Sequence, residues 1–142
     1  HAVGSMVVLT CGKPDKKEYR KFRIRSVSGI SDVDMMKEVL TRRSKHSEWL
    51  PADFVLIDGG KPQAAAAAAV LSESSSRRIP IAGLAKREED LVIPKTSSGF
   101  SVLRLPLSGR SIKVLQRVRD EAHRFAITYH RRLRDKIESE AV

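Results

Sequence analysis

The sequence predicts an α/β domain with a mixed sheet flanked by helices, and three observations carry that prediction. An apolar run, an alanine-rich helix and a second apolar run follow one another between residues 54 and 85. Two β-rich runs bracket a turn-forming stretch near the amino terminus, and the chain from residue 111 onward repeats its apolar residues at helical spacing. A length of 142 residues suits one domain with a single core.

The first pair of strands is read from "VGSMVVLT" (3–10) and "YRKFRIRSV" (19–27), separated by the polar, turn-forming "CGKPDKKE". Tyr19, Phe22, Ile24 and Val27 alternate imperfectly with basic residues, as on a strand with one solvated face. In "SDVDMMKEVLTRRSKH" (31–46), Ser31 is placed to cap a helix whose acidic residues lie in the first turn and basic residues in the last. Val33, Met36, Val39 and Leu40 form its apolar face.

Pro51 breaks the chain before the strand Phe54–Ile57. "KPQAAAAAAVLSESS" is helical by propensity, tolerates Pro62 in its first turn, and its six alanines permit close packing. "IPIAGLA" (79–85) is the next strand, and the β–α–β order makes the two strands parallel. Residues 86–109 look irregular, with a small hairpin of 91–93 and 101–105 around the 97–99 turn. From Ser111, the residues Ile112, Leu115, Val118, Ala122, Ala126, Tyr129, Leu133 and Ile137 recur every three or four positions, predicting one long helix or two in line over 110–138. Its apolar stripe is expected on the sheet.

Charge narrows the partners. The 27 Lys plus Arg against 17 Asp plus Glu give a net charge of +10, which points to a polyanion, with nucleic acid as the leading candidate. Between 110 and 136, nine basic residues (Arg110, Lys113, Arg117, Arg119, Arg124, Arg131, Arg132, Arg134, Lys136) oppose only Asp120, Glu121 and Asp135, an imbalance that favours phosphate contacts over mere solvation. The lone Cys11 excludes an internal disulfide, and short, charge-interrupted apolar runs give neither a transmembrane helix nor a signal peptide. The expected location is therefore the cytoplasm. His1 opens the chain without methionine, so a longer parent or a tag remnant is expected.

Two residues raise a question of chemistry. Asp58 stands at the end of an apolar strand, followed by Gly59 and Gly60, where open α/β sheets place their ligands. A metal-binding or catalytic carboxylate fits there, and so does a turn-stabilising or helix-capping one. His123 lies where the apolar stripe of the last helix meets the basic face, and suits a general base, a metal ligand or a hydrogen-bonded structural group.

"LIDGGKPQ", "GLAKREE" and the long "LQRVRDEAHRFAITYHRR" resemble the C-terminal endonuclease domain of UvrC, the incision subunit of bacterial nucleotide-excision repair. "VGSMVV", "YRKFRI" and "VLTRR" match the same domain in the same order, so the resemblance covers nearly the whole chain. It implies an RNase H-like fold and a divalent metal, Mg²⁺ or Mn²⁺, used to cut damaged double-stranded DNA on the 5′ side of the lesion. The aspartate of the family's "IDGG" falls on Asp58 and the histidine of "DEAHRF" on His123, both as catalytic groups, with Asp58 as a metal ligand and His123 either as a second metal ligand or as the group that activates or orients water. A further family aspartate belongs to a "DISH"-type strand for which this chain has no match, so one sheet strand and one carboxylate are expected to be missing and cleavage by the chain alone to be poor.

Asp32 matches the family's acidic "DDY"-like segment best, although "ISDVDMM" departs from it, and Pro62 replaces the usual glycine of "GGKGQ". Lys86, Arg87 and Arg119 are candidates to hold the DNA backbone near the metal, with Glu88 as a further acidic group and Arg124, Arg131 and Arg132 as DNA contacts on the last helix. The resemblance also implies the UvrB helicase as a partner of regions outside this chain. The alternatives are a DNA-binding module without catalysis on the same scaffold, and an interaction domain whose basic surface meets an acidic protein.

Overall fold

A computed structural model describes residues 3–25, 31–74, 78–85, 90–95 and 98–140. It is a mixed α/β fold, as predicted. Strand β1 (Val3–Met6) runs antiparallel to β4 (Arg20–Arg23), and their connection carries a miniature hairpin of β2 (Leu9–Thr10) and β3 (Lys13–Pro14). The two residues joining β2 to β3, Cys11 and Gly12, have φ of 53° and 77°. Positive φ at both positions of a two-residue loop matches the right-handed twist of the flanking strands, which explains why so short a hairpin closes there. The "CGKPDKKE" segment thus holds more structure than a turn, including a single 3₁₀ turn at Lys16–Glu18.

Helix α1 (Asp32–Ser44) begins as its sequence predicts, with the Ser31 hydroxyl accepting from the Asp34 N–H at 3.3 Å. Its buried Leu40, with Met36 beside it, packs on Ile57 of β5 (Val55–Asp58) and Ala67 of α2 (Lys61–Ser74). Ala64 and Ala67 are fully buried, so the alanine run does bring α2 close to its neighbours. Phe54, expected in the strand, precedes it and is half exposed.

Strand β5 pairs in parallel with β6 (Ile81–Leu84), the predicted β–α–β unit. β6 continues antiparallel to β7 (Leu91–Pro94), and β7 to β8 (Phe100–Leu103), giving the sheet order β5-β6-β7-β8. The predicted hairpin is therefore present, shifted by one or two residues in its second strand. Among the described residues no backbone ladder joins β1–β4 to this sheet.

Helix α3 (Arg110–Glu140) is a single element. Its first two turns send Ile112 and Leu115 into a core with Ala82, Leu84 and Leu91. Farther along α3, Phe125 meets Tyr19, just ahead of β4, edge to face, with centroids 5.1 Å apart. The side chains of Tyr129, Leu133 and Ile137 lie outside the described residues.

Candidate active site

The site is assembled where the end of β5 faces the middle of α3. Asp58 is the last residue of β5, and the chain turns through Gly59 and Gly60 into α2. That turn is closed without the aspartate: Gln63 Oε1 accepts from the Gly60 N–H at 3.2 Å, and the Gly60 carbonyl accepts from the Ala64 N–H at 3.0 Å. The capping role that Asp58 could have filled is thus taken by Gln63.

The Asp58 carboxylate instead reaches across 65 residues of sequence to His123, with Oδ2 2.5 Å from Nε2. Both side chains keep access to solvent, at 31% for Asp58 and 49% for His123. An accessible carboxylate and imidazole in direct contact can share a proton, orient one another or hold a cation. Asp32, at the start of α1, does not join them, because among the described residues no three His, Cys, Asp or Glu side chains come together as a metal site. Lys86, Arg87 and Glu88 lie outside the described residues.

The basic candidates on α3 separate into paired and exposed groups. Arg124 grips Glu121 with two hydrogen bonds, Nε to Oε2 at 2.8 Å and Nη2 to Oε1 at 2.6 Å. Arg119 lies 3.6 Å from Asp120. Arg131 and Arg132 are exposed.

Sequence reasoning missed the contact that fixes α3 beside Asp58. The buried Tyr19, just ahead of β4, donates its hydroxyl to Glu121 Oε1 at 2.9 Å across 102 residues. Glu121 stands two residues before His123, so this bond sets the rotation of the helix that carries the histidine. Nothing local marks the pair; "DEAHRF" drew the eye to its histidine, while Glu121 read as one acid on a basic face.

The network also perturbs ionisation. Hydrogen bonds from Arg124 and then Tyr19 hold the Glu121 carboxyl down to about 2 from its ordinary 4.5. Burial, with the Glu121 hydrogen bond second, pushes the Tyr19 phenol up to about 12 from 10.0. The lowered acid contributes stability that is complete above pH 4.5 and is lost as pH falls toward 2; the raised phenol contributes below pH 10 and loses its share as pH rises toward 12. Tyr19→Phe is therefore expected to cost about 1 kcal/mol near neutral pH and to flatten the alkaline limb of a melting-temperature profile, while Glu121→Gln flattens the acid limb. Unchanged limbs in both variants would remove the network from the stability of the fold.

Fold and site together describe a mixed α/β domain of RNase H-like type with a carboxylate–imidazole pair at a strand end. The family model for the UvrC RNase H endonuclease domain matches residues 1–127, and the chain belongs to that family. It is 48% identical over 135 residues to UvrABC system protein C of Chlorobaculum tepidum, covering 93% of this chain and 21% of that protein. It is also 48% identical over 137 residues to the protein of that name from Methanococcoides burtonii, covering 94% and 22%, and 42% identical over 151 residues to that of Bdellovibrio bacteriovorus, covering 97% and 24%. The chain spans about a fifth to a quarter of the length of these curated relatives. Among the described residues no helix is long and apolar enough to cross a membrane.

Proposed function

We propose that this chain supplies Asp58 and His123 as the catalytic pair with which a longer parent protein hydrolyses a phosphodiester of damaged double-stranded DNA, making the 5′ incision of nucleotide-excision repair. The observation that carries the reading is the 2.5 Å contact between those two side chains in a member of an endonuclease family. The relatives' name, UvrABC system protein C, supports a role within that repair system, with the UvrB helicase as a partner of other parts of the protein.

The donor set fits a divalent cation. One carboxylate oxygen and one imidazole nitrogen, both reachable from solvent, suit an ion whose remaining positions go to waters and phosphate oxygens. Asp58 and His123 would hold it, and the imidazole inclines the choice from Mg²⁺ toward Mn²⁺. When bound, such an ion stabilises charge on the attacked phosphate and makes a coordinated water more acidic. An imidazole that stays off the ion takes the alternative role: Asp58, when ionised, accepts from its Nε2–H and fixes that tautomer, leaving the Nδ1 lone pair to take a proton from water. Arg131 and Arg132, exposed farther along α3, serve the DNA backbone.

Plasmid nicking by the full-length protein, with Mg²⁺, Mn²⁺ or EDTA, tests the metal requirement. Nicking is expected with either ion, lost in EDTA and restored by excess metal. Nicking that persists in EDTA would overturn the metal-dependent reading.

A further inference from the structure

A shallow open groove of about 400 Å³ runs along α3 directly from His123, lined by Asp120, His123, Arg124, Ile127, Thr128 and Arg131. We infer that Ile127 and Arg131 form a subsite for the nucleic-acid strand next to the bond being cut, Ile127 against a sugar or base and Arg131 on a phosphate. This rests on the nuclease reading for the position of that bond at His123.

The helix sets the spacing. His123, Ile127 and Arg131 are four residues apart on one face, so Ile127 lies about 6 Å and Arg131 about 12 Å along the axis from the histidine. At ~3.4 Å of rise per nucleotide in a stacked strand, the span to Arg131 covers about three nucleotides.

Charge sets the direction. One turn before His123 the groove holds Asp120, which Arg119 offsets at 3.6 Å without leaving a net positive charge, so a phosphate gains nothing there. Two turns after His123 it holds the exposed Arg131. The strand therefore leaves the site toward the carboxyl end of α3.

The groove's other members are committed elsewhere. The Arg124 guanidinium is held by Glu121, whose carboxylate offsets its charge, and the Thr128 hydroxyl donates to the Arg124 carbonyl at 2.9 Å, so among the described residues Arg131 is the groove's cation without an opposing carboxylate. Ile127 is 51% exposed, more so than Val114, the other exposed large aliphatic side chain among the described residues of α3. Beside an arginine it supplies what a nucleotide needs: apolar contact for the sugar or base and charge for the phosphate.

Binding of a single-stranded oligonucleotide to the chain in EDTA, followed by fluorescence anisotropy over a range of salt, tests the subsite without any cleavage. Arg131→Gln is expected to reduce the slope of log affinity against log salt by about 0.7. Ile127→Ser is expected to weaken binding about fivefold with the slope unchanged. Both variants should keep the parent's melting temperature, since neither side chain is in the core. Parent-like binding by both would overturn the subsite and point to a protein segment as the groove's occupant; an effect at Arg131 alone would reduce it to a lone phosphate contact and equally overturn the proposal. The nuclease reading is judged separately: incision surviving in Asp58→Asn would sink that reading while leaving these binding results intact.

Discussion

Asp58→Asn is expected to slow incision by about 10² to 10⁴-fold while leaving DNA affinity within a few-fold of the parent. The amide keeps the shape of the side chain and can still meet the imidazole, but it carries no charge. It neither fixes the Nε2–H tautomer as strongly nor holds a divalent cation as a carboxylate does. His123→Ala should fall in the same range, for it removes the other half of a contact only 2.5 Å long. Because the two act on one another, the double variant should be hardly slower than either single one. Single-turnover incision by the full-length protein, with binding measured on the same DNA, is the appropriate pair of readouts. Normal cutting by Asp58→Asn would show that the contact is structural and that the chemistry lies elsewhere.

Local physics made much of the fold legible. The β5–α2–β6 unit could be read because two apolar runs, a turn of glycines and an alanine-rich helix each announce themselves within a few residues. The Ser31 cap and the charges at the two ends of α1 are likewise features of neighbouring residues. The site was legible only in its parts. Asp58 stood out as a charge at a strand end, and His123 as an imidazole on a helix flank, but periodicity contains nothing about a contact spanning 65 residues. The 102-residue link from Tyr19 to Glu121 was hidden for the same reason.

Helix α3 shows where a local pattern misleads. Its apolar stripe predicted packing on the sheet along the whole length, yet the sheet strands are four residues long, about 13 Å, against about 46 Å for 31 residues of helix. The helix outruns the sheet after Leu115. Beyond it, α3 passes to the β1–β4 hairpin, where Tyr19 and Phe125 meet. His123 lies in this second stretch, so its position depends on the hairpin contact as well as on the core beneath Ile112.

The turn that carries Asp58 depends on a glycine in the neighbouring strand. A Cβ on Gly83 would come within 2.5 Å of the Gly59 carbonyl oxygen and 3.2 Å of the Ala64 Cβ. Neither obstacle is the mobile end of a long side chain; one is backbone, and the other is fixed to a buried helix turn. Gly83→Ala is therefore expected to destabilise the domain by about 2–3 kcal/mol, lowering the melting temperature by about 5–10 °C. Gly60→Ala is the matched control, because a Cβ there meets nothing within 4 Å, and it should cost no more than about 0.5 kcal/mol. Relief at Gly83 must push the Gly59 carbonyl away from β6, and Asp58 is joined directly to Gly59. Incision by Gly83→Ala should thus fall well below the parent's even at temperatures where the variant is fully folded. Ala64→Gly in the same chain should restore little, since it removes the 3.2 Å contact and leaves the 2.5 Å one. A Gly83→Ala protein that melts and cuts like the parent would mean that the turn gives way without moving Asp58, and the close approach of β6 would then have no part in placing the carboxylate.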